Sequence, residues 1–175
     1  MGTLSARMQK ALNEQVNAEF WSAYLYLSMS VDAADKGYKG VANWFAIQFK
    51  EEQDHAQIFM NYLLSRGARV ELAPIAEVET SWANVLEMYN STLEHEKEVT
   101  AMINNLYAIA VEENDFASQS MLKWFIDEQV EEEESAKDII DQLEMVDDSK
   151  LGLFMVDKDL ATRTYTVPSP LATAE

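Results

Sequence analysis

The sequence predicts an all-α protein, built as an up-down four-helix bundle with one long crossover between its second and third helices and a short fifth helix. Three observations predict this fold. Apolar residues recur every three or four positions in four long segments, which is the spacing of one helix face. The 175 residues include only 5 glycines and 3 prolines, so few positions break a helix. One long segment containing Pro74 lacks the apolar stripe and separates the second pattern from the third.

The length of the chain fits one domain with a buried core. We predict that this domain covers residues 1–162. Residues 163–175, which include Pro168 and Pro170, are predicted to form a flexible tail. The predicted helices span about residues 4–35, 41–66, 82–112, 116–146 and 149–160.

An acidic residue interrupts the apolar stripe of each of the first two helices. In the first helix it is Glu19, and Gly37 after the helix suits a left-handed cap. In the second helix it is Glu52, and His55 lies three residues later on nearly the same side. Because only a short turn separates the two helices, we expect them to be antiparallel neighbours. A carboxylate and an imidazole on a core-facing stripe are costly to bury without partners.

The connection between the second and third helices, residues 68–80, has room to run the length of a bundle. About thirteen extended residues reach ~40 Å at roughly 3.3 Å each. The third helix can therefore run parallel to the second instead of folding back as a hairpin. Ser81 is the expected N-cap of the third helix.

The third and fourth helices repeat the interruption of the stripe, with Glu96 and Glu132. Asp115, in the polar turn between them, is an expected cap for the fourth helix. His95 points about 100° away from Glu96 around the helix, so it is predicted to lie on the exterior. The short apolar segment of residues 151–156 fits a fifth helix packed between subunits, and equally a tail laid on its own bundle.

Counted from their own turns, the four acids lie at one depth. Each is roughly 22–27 Å from its turn at ~1.5 Å per residue. If both turns lie at the same end of the bundle, Glu19, Glu52, Glu96, Glu132 and His55 meet at one level. A single acid on an apolar stripe is more often partly exposed or salt-bridged than a metal ligand, but four at one level need another explanation.

Four carboxylates at that level would repel one another unless cations neutralised them. The predicted stripes carry no inward lysine or arginine there. Carboxylate oxygens with one imidazole suit iron or manganese better than copper or structural zinc. Glu52-x-x-His55 has the spacing of carboxylate-bridged dinuclear sites in helix bundles. The residues therefore predict a carboxylate-bridged dinuclear metal site in the bundle core.

The composition narrows the classes of partner. The net charge of −18 comes from 31 acidic and 13 basic residues, which argues against nucleic acid because its phosphates would be repelled. This charge fits a protein that attracts cations, although a solvated acidic surface has the same composition. The absence of cysteine excludes disulfides and thiolate sites. Without a signal peptide pattern or an apolar run of membrane-spanning length, we expect a cytoplasmic protein with no membrane partner.

Taken in order, these residues make the sequence resemble a ferritin of the non-haem prokaryotic type. The likeness extends over roughly residues 4–160 and is specific as a set, whereas Glu-x-x-His alone would be a weak signal. The matching motifs are NEQVNAE at 13–19, EEQDH at 51–55, His95-Glu96, Trp124, EQVEEE at 128–133 and GLFMVDKDL at 152–160.

The resemblance implies a ferritin-like bundle that assembles into a 24-subunit cage, oxidises Fe(II) with oxygen or hydrogen peroxide, and stores ferric mineral. It implies two irons per subunit and a third ion at a more peripheral site. The first iron would be held by Glu19, Glu52 and His55. The second would share Glu52 as a bridge and use Glu96 and Glu132, with Gln129 close by. The third would use Glu51, Glu128, Glu131 and Glu132, and Tyr26 would lie beside the centre and supply an electron.

Two departures define the type of ferritin. The fourth helix has Glu128-x-x-Glu131 and Gln129-x-x-Glu132 where bacterioferritins carry a second Glu-x-x-His. Gln53 stands where they have a haem-ligating methionine, so haem is not expected. Some of these residues have simpler interpretations without a metal. The acids of the fourth helix can form a solvated acidic face, and Tyr26 can be a packed core residue.

Two other functions are compatible with the residues. One is another diiron-carboxylate oxidase or peroxidase on the same bundle, although the absence of cysteine excludes a rubredoxin-type centre. The other is a non-catalytic acidic helical interaction protein, whose acids all lie on the surface. The second alternative predicts no stoichiometric iron binding, and a cage-sized particle would argue against the first.

Overall fold

The computed structural model describes residues 3–147 and 149–172, and these residues form five α-helices and no strand. The all-α fold class is therefore confirmed. By their internal contacts the helices form two compact units: the first unit contains α1, α2 and α5, and the second unit contains α3 and α4. The helices are α1 (Ala6–Asp35), α2 (Lys39–Ser65), α3 (Val85–Glu112), α4 (Phe116–Val146) and α5 (Lys150–Leu160).

In the first unit, α1 and α2 form a tight antiparallel pair. The Oγ of Ser5 caps α1 by accepting from the backbone N–H of Met8 at 2.9 Å, so the helix begins two residues later than predicted. Gly37 takes φ +89° in the turn, the left-handed conformation expected from the sequence. The fully buried apolar side chains of this pair include Met8, Leu12, Tyr26, Met29, Phe45, Phe59 and Leu63.

The connection after α2 is fastened along α1 by side chains that bond to its main chain. The bonds begin near Asn13 and continue to Asp32 and Lys36, a span of about 35 Å at 1.5 Å per residue. The connection therefore runs the length of the helix, as its reach predicts. The donors on α1 and their carbonyl acceptors are Asn13 with Arg69, Asn17 with Ala73 and Pro74, Trp21 with Glu77, and Ser28 with Glu79.

The predicted N-cap of α3, Ser81, is wrong. Asn84 caps the helix instead: its Oδ1 accepts from the backbone N–H of Glu87 at 2.8 Å, and its backbone is extended. The carboxylate of Glu87 accepts from the N–H of Ala83 in return, which completes a reciprocal cap. The helix starts late because Trp82 is held to α1, where the backbone N–H of Trp82 donates to the carboxylate of Asp32 at 3.2 Å.

In the second unit, a short turn joins α3 to α4. Asn114 adopts φ 56°, and Asp115 caps α4 by accepting from the N–H of Ser118 at 3.2 Å, as predicted. Gln119 donates to the backbone oxygen of Ala110 at 3.0 Å and ties the two helix ends together. The buried apolar side chains of this pair include Met88, Tyr89, Ile103, Leu106, Leu122 and Phe125.

The short helix α5 packs against the beginning of α2 in the same chain. Asp157 accepts from the backbone N–H of Val41 at 2.9 Å, and the buried side chains of α5 are Val156 and Leu160. Its other apolar side chains, Leu151, Phe154 and Met155, are exposed. The segment therefore forms a helix that contacts its own chain, and its packing between subunits stays a prediction.

The approach of α5 to α2 depends on Gly40. A Cβ at that position would lie 1.5 Å from the backbone oxygen of Asp157. Gly40→Ala is therefore expected to destabilise the protein by about 2 kcal/mol, because the two backbones must separate. Glycine-to-alanine changes inside helices otherwise stabilise by roughly 1 kcal/mol, so the sign is diagnostic. Thermal unfolding measures this change in stability, and a raised midpoint in Gly40→Ala would contradict the close packing.

The beginning of the segment predicted as a flexible tail contacts α2. Tyr165 donates its hydroxyl to Asp54, and this bond raises the pKa of the phenol to about 12. Flexibility of the remaining tail stays a prediction, and residues 173–175 lie outside the described residues. Within the described part of the chain, no helix combines the length and apolar character needed to cross a membrane.

Candidate metal centre

Three predicted ligands come together inside the first unit. Glu19 on α1 and Glu52 and His55 on α2 each offer a ligand atom, and these atoms all lie within 4.8 Å of one another. The Nδ1 of His55 lies 3.3 Å from Glu52 Oε2 and 3.8 Å from Glu19 Oε2. All three residues are buried, with relative exposures of 1%, 2% and 2%. The helix pair therefore holds two carboxylates and one imidazole where water scarcely reaches.

The electrostatics of this cluster are unfavourable without a cation. Burial, followed by the charge of Glu52, raises the pKa of Glu19 well above its ordinary value of 4.5. Gln15, one turn earlier on α1, donates its Nε2 to Glu19 Oε1 at 2.8 Å and fixes the carboxyl. The other oxygen, Oε2, is buried and accepts no hydrogen bond among the described residues. A buried carboxylate oxygen left this way is a ready ligand for a metal ion.

A second polar cluster lies inside the second unit. Gln129 on α4 donates its Nε2 to Glu96 on α3, at 3.1 Å to Oε2 and 3.2 Å to the backbone oxygen. Thr100 extends the cluster, because its Oγ1 lies 3.4 Å from Gln129 and donates to Glu133 at 2.6 Å. Glu96 is 1% exposed. One carboxylate of α3 is thus held in the core by an amide of α4.

The remaining predicted site residues differ in burial. Glu132 is buried three residues after the amide of Gln129 on α4. Glu128 and Glu51 are half-buried, whereas Glu131 is exposed. Tyr26 is fully buried two turns after Glu19 on α1, and its ring is stacked on Phe45 with centroids 5.9 Å apart.

His95 is not on the exterior, contrary to the prediction. It is buried, and burial lowers its pKa to about 4. Neighbouring residues of a helix point about 100° apart, but the buried stripe of α3 is wide enough to include Thr92, His95 and Glu96 together. At neutral pH the imidazole is therefore uncharged.

Comparison with known proteins decides the family. The model of the ferritin-like domain matches residues 9–146. This chain belongs to the ferritin family. The ferritin is 38% identical over 162 residues to a bacterial non-heme ferritin of Staphylococcus aureus strain MRSA252, covering 93% of this chain and 98% of that one. It is 39% identical over 160 residues to a bacterial non-heme ferritin of Bacteroides fragilis strain 638R, covering 91% and 99%.

Solved structures agree with this family. An open pore ferritin from the hyperthermophilic archaeon Archaeoglobus fulgidus has a TM-score of 0.92 and 41% identity, covering 93% of this ferritin and 100% of that chain. A humanized archaeal ferritin has a TM-score of 0.93 and 40% identity, covering 94% and 99%. The resemblance drawn from the residues is therefore confirmed. Family membership supports iron storage with ferroxidase activity as the function.

Some polar residues of the ferritin's two clusters were not singled out as site residues. Gln15 orients Glu19, and Thr100 borders the amide of Gln129. A signal for the first of these is present in the sequence. Gln15 and Gln48 each stand on an apolar stripe four residues before the acid of that stripe, where a side chain faces the next turn. Thr100 offers no comparable signal, because threonine is common on helix faces.

Proposed function

We propose that this ferritin oxidises Fe(II) at a dinuclear carboxylate-bridged centre inside each subunit and stores the product as ferric mineral. The observation that carries the proposal is the buried cluster of Glu19, Glu52 and His55, whose ligand atoms lie within 4.8 Å of one another. Two carboxylates in a site this dry repel each other, and a cation would relieve that repulsion. Iron enters here as the substrate.

The first iron is held by the three residues of the first unit. Glu19 offers the oxygen that accepts no hydrogen bond, and Gln15 fixes the other one. The imidazole of His55 offers Nδ1, which already faces both carboxylates. Oxygen ligands with a single imidazole suit an ion that cycles between Fe(II) and Fe(III).

The ligands of the second iron are assigned from the likeness to ferritins. Glu52 bridges the two ions, and Glu96 and Glu132 complete the second site. Gln129 supports it from the side, since its amide already holds Glu96. That hydrogen bond fixes the orientation of the carboxylate, which tunes the affinity of a metal ligand. A third ion would lie more peripherally, at Glu51, Glu128, Glu131 and Glu132.

The chain supplies ligands, orientation and a dry cavity, while iron and the oxidant exchange the electrons. Oxygen or hydrogen peroxide accepts electrons from the two ferrous ions. Tyr26 can donate one more, because it is fully buried two turns from Glu19 on the same helix. No haem takes part, since Gln53 stands at the position of the haem-ligating methionine of bacterioferritins.

The ferric mineral has to be enclosed by protein, and we assign this role to a cage of 24 subunits in the cytoplasm. The exposed apolar side chains of α5, Leu151, Phe154 and Met155, give each subunit a surface that another copy can cover. A chain with a net charge of −18 also attracts Fe(II) and favours nucleation of ferric mineral on acidic surfaces.

The test is aerobic addition of Fe(II) to the metal-free protein, followed by ferric absorbance on a sample sized by chromatography. Fast oxidation that saturates near two irons per chain, in a particle of cage size, is the expected result. Oxidation no faster than in buffer, by a small particle, would contradict the dinuclear centre and the cage together. Fast oxidation by a small particle would retain the centre and reject the cage.

A further inference from the structure

The segment after α5 is fastened to α2 through Arg163. Asn43 donates its Nδ2 to the backbone oxygen of Arg163 at 3.1 Å. The Nη1 of Arg163 donates to the backbone oxygen of Trp44 at 3.2 Å, and its guanidinium carbon lies 4.6 Å from the centre of the Trp44 ring. The latter contact is a cation–π interaction. Both the backbone and the side chain of this arginine are therefore fixed on α2.

The guanidinium ends on two side chains beside the proposed centre. Its Nη2 lies 2.6 Å from Gln48 Oε1 and 2.7 Å from Glu51 Oε2. Gln48 is fully buried one turn before Glu52, and Glu51 directly precedes Glu52 on α2. The ion pair is partly buried, with side-chain exposures of 25% for Arg163 and 20% for Glu51. Salt and water therefore screen it less than a pair in open solvent.

We propose that Arg163 occupies Glu51 in competition with the third metal ion, so that docking of the tail and binding of that ion oppose each other. The inference rests on the proposed function, which assigns the third ion to Glu51. A guanidinium stays charged throughout the physiological pH range, so the pair is broken only by displacement. A cation that takes Glu51 Oε2 has to remove Nη2 from it.

The coupling is reciprocal. The factor by which the tail weakens the third ion equals the factor by which that ion weakens docking of the tail. The two ions of the buried centre do not meet this competition, because Glu51 is not among their proposed ligands. The dinuclear centre therefore fills first, and the third position opens only at higher metal concentration. This ordering gives the C-terminal tail a role in regulating metal occupancy.

Metal binding measured without redox chemistry tests the competition. Zn(II) is titrated calorimetrically into the assembled, metal-free protein, comparing the unaltered chain with Arg163→Gln, Glu51→Gln and the double variant. We expect two tight equivalents per chain in the unaltered protein and a weaker third. Arg163→Gln should strengthen the third by about tenfold, the scale of one charge-assisted hydrogen bond, and leave the tight pair unchanged. In the Glu51→Gln background the same change should have no effect.

Tyr165→Phe is the matched control. It removes the bond from the tail to Asp54 but leaves the contact of Arg163 with Glu51 in place. The affinity of the third equivalent should stay within about twofold of that of the unaltered protein. Reciprocity adds a second readout: in the unaltered protein, sharp proton NMR signals of a mobile tail should appear as the third equivalent binds. A chain ending at Thr162, which keeps α5, should behave as Arg163→Gln does.

The outcomes separate this inference from the proposed function. A third equivalent whose affinity does not change in Arg163→Gln, or strengthens equally when Glu51 is also replaced, would overturn the competition and leave the two tight sites standing. If the unaltered protein bound no two tight equivalents of zinc per chain, the dinuclear centre itself would be contradicted. Proton NMR signals of the tail that do not change when zinc binds would also overturn the competition.

Discussion

Glu52→Ala is expected to slow Fe(II) oxidation by at least about 100-fold while the particle still assembles. Glu52 is the proposed bridge between the two ions, so its loss removes a ligand from both sites at once. It also leaves His55 without the carboxylate that lies 3.3 Å from its Nδ1. The initial rate of ferric absorbance, measured below two irons per chain, gives the effect. Chromatography of the same sample shows whether assembly survives.

An exposed acid supplies the control for this result. Glu98 lies on α3, two residues from Glu96, but faces solvent. Glu98→Ala removes the same charge from the chain, so it corrects for any general loss of attraction for cations. Its oxidation rate should stay within about twofold of that of the unaltered protein. Equal rates for Glu52→Ala and the unaltered protein would refute the proposed centre.

Glu19→Gln is expected to have opposite effects on stability and activity. In the metal-free protein, it should raise the free energy of unfolding by about 1–2 kcal/mol, because the amide avoids the cost of burying this carboxyl beside Glu52, either as a charge or with the proton that it takes up. The new amide can still accept from Gln15 and adds a donor close to Glu52. Fe(II) oxidation should fall, since the amide is a poorer ligand. Thermal unfolding in chelator and the aerobic rate assay measure the two effects.

The pH dependence of stability gives a sharper test of Glu19→Gln. The pKa of Glu19 is raised in the folded protein, mainly by burial and then by the charge of Glu52, so the folded state holds this proton more tightly than the unfolded state does. The stabilisation is complete below the ordinary value of 4.5 and is lost as pH rises through the raised value. Metal-free unaltered protein should therefore lose stability over that interval, and Glu19→Gln should lose less.

Glu14→Gln provides the comparison on the same helix. Glu14 is exposed, and its carboxylate lies 3.5 Å from Lys10 in a surface ion pair, which contributes little to stability. Its replacement should change neither the unfolding midpoint nor the pH profile by a measurable amount. A midpoint that falls in Glu19→Gln would mean that this carboxyl stabilises the empty cluster.

Much of the fold was predictable because helix periodicity is a local property. Glu19, Glu52 and His55 could be placed together from their stripes and from similar distances to one turn, since an α-helix advances by a constant rise. The caps at Gly37 and Asp115 were predictable for the same reason, because each depends on a few neighbouring residues.

Features that depend on tertiary contacts could not be predicted. Ser81 is a good N-cap by composition, but the bond between Trp82 and Asp32 delays the start of α3. The burial of His95 depends on how wide a face of α3 is covered, which the period alone does not define. The docking of Arg163 joins residues 112 positions apart along the chain, and no local pattern reveals such a contact.

The long connection between α2 and α3 has an uneven tolerance to mutation. Every bond described between it and α1 uses a backbone carbonyl or N–H of the connection, whereas the partners on α1 are side chains. Since any residue except proline has the same backbone groups, natural selection can vary the side chains of this connection, and exposed ones such as Leu72 and Ile75 are suited to peptide display or chemical labelling. Asn13 and Trp21 on α1 have no such freedom, because their side chains make the attachment.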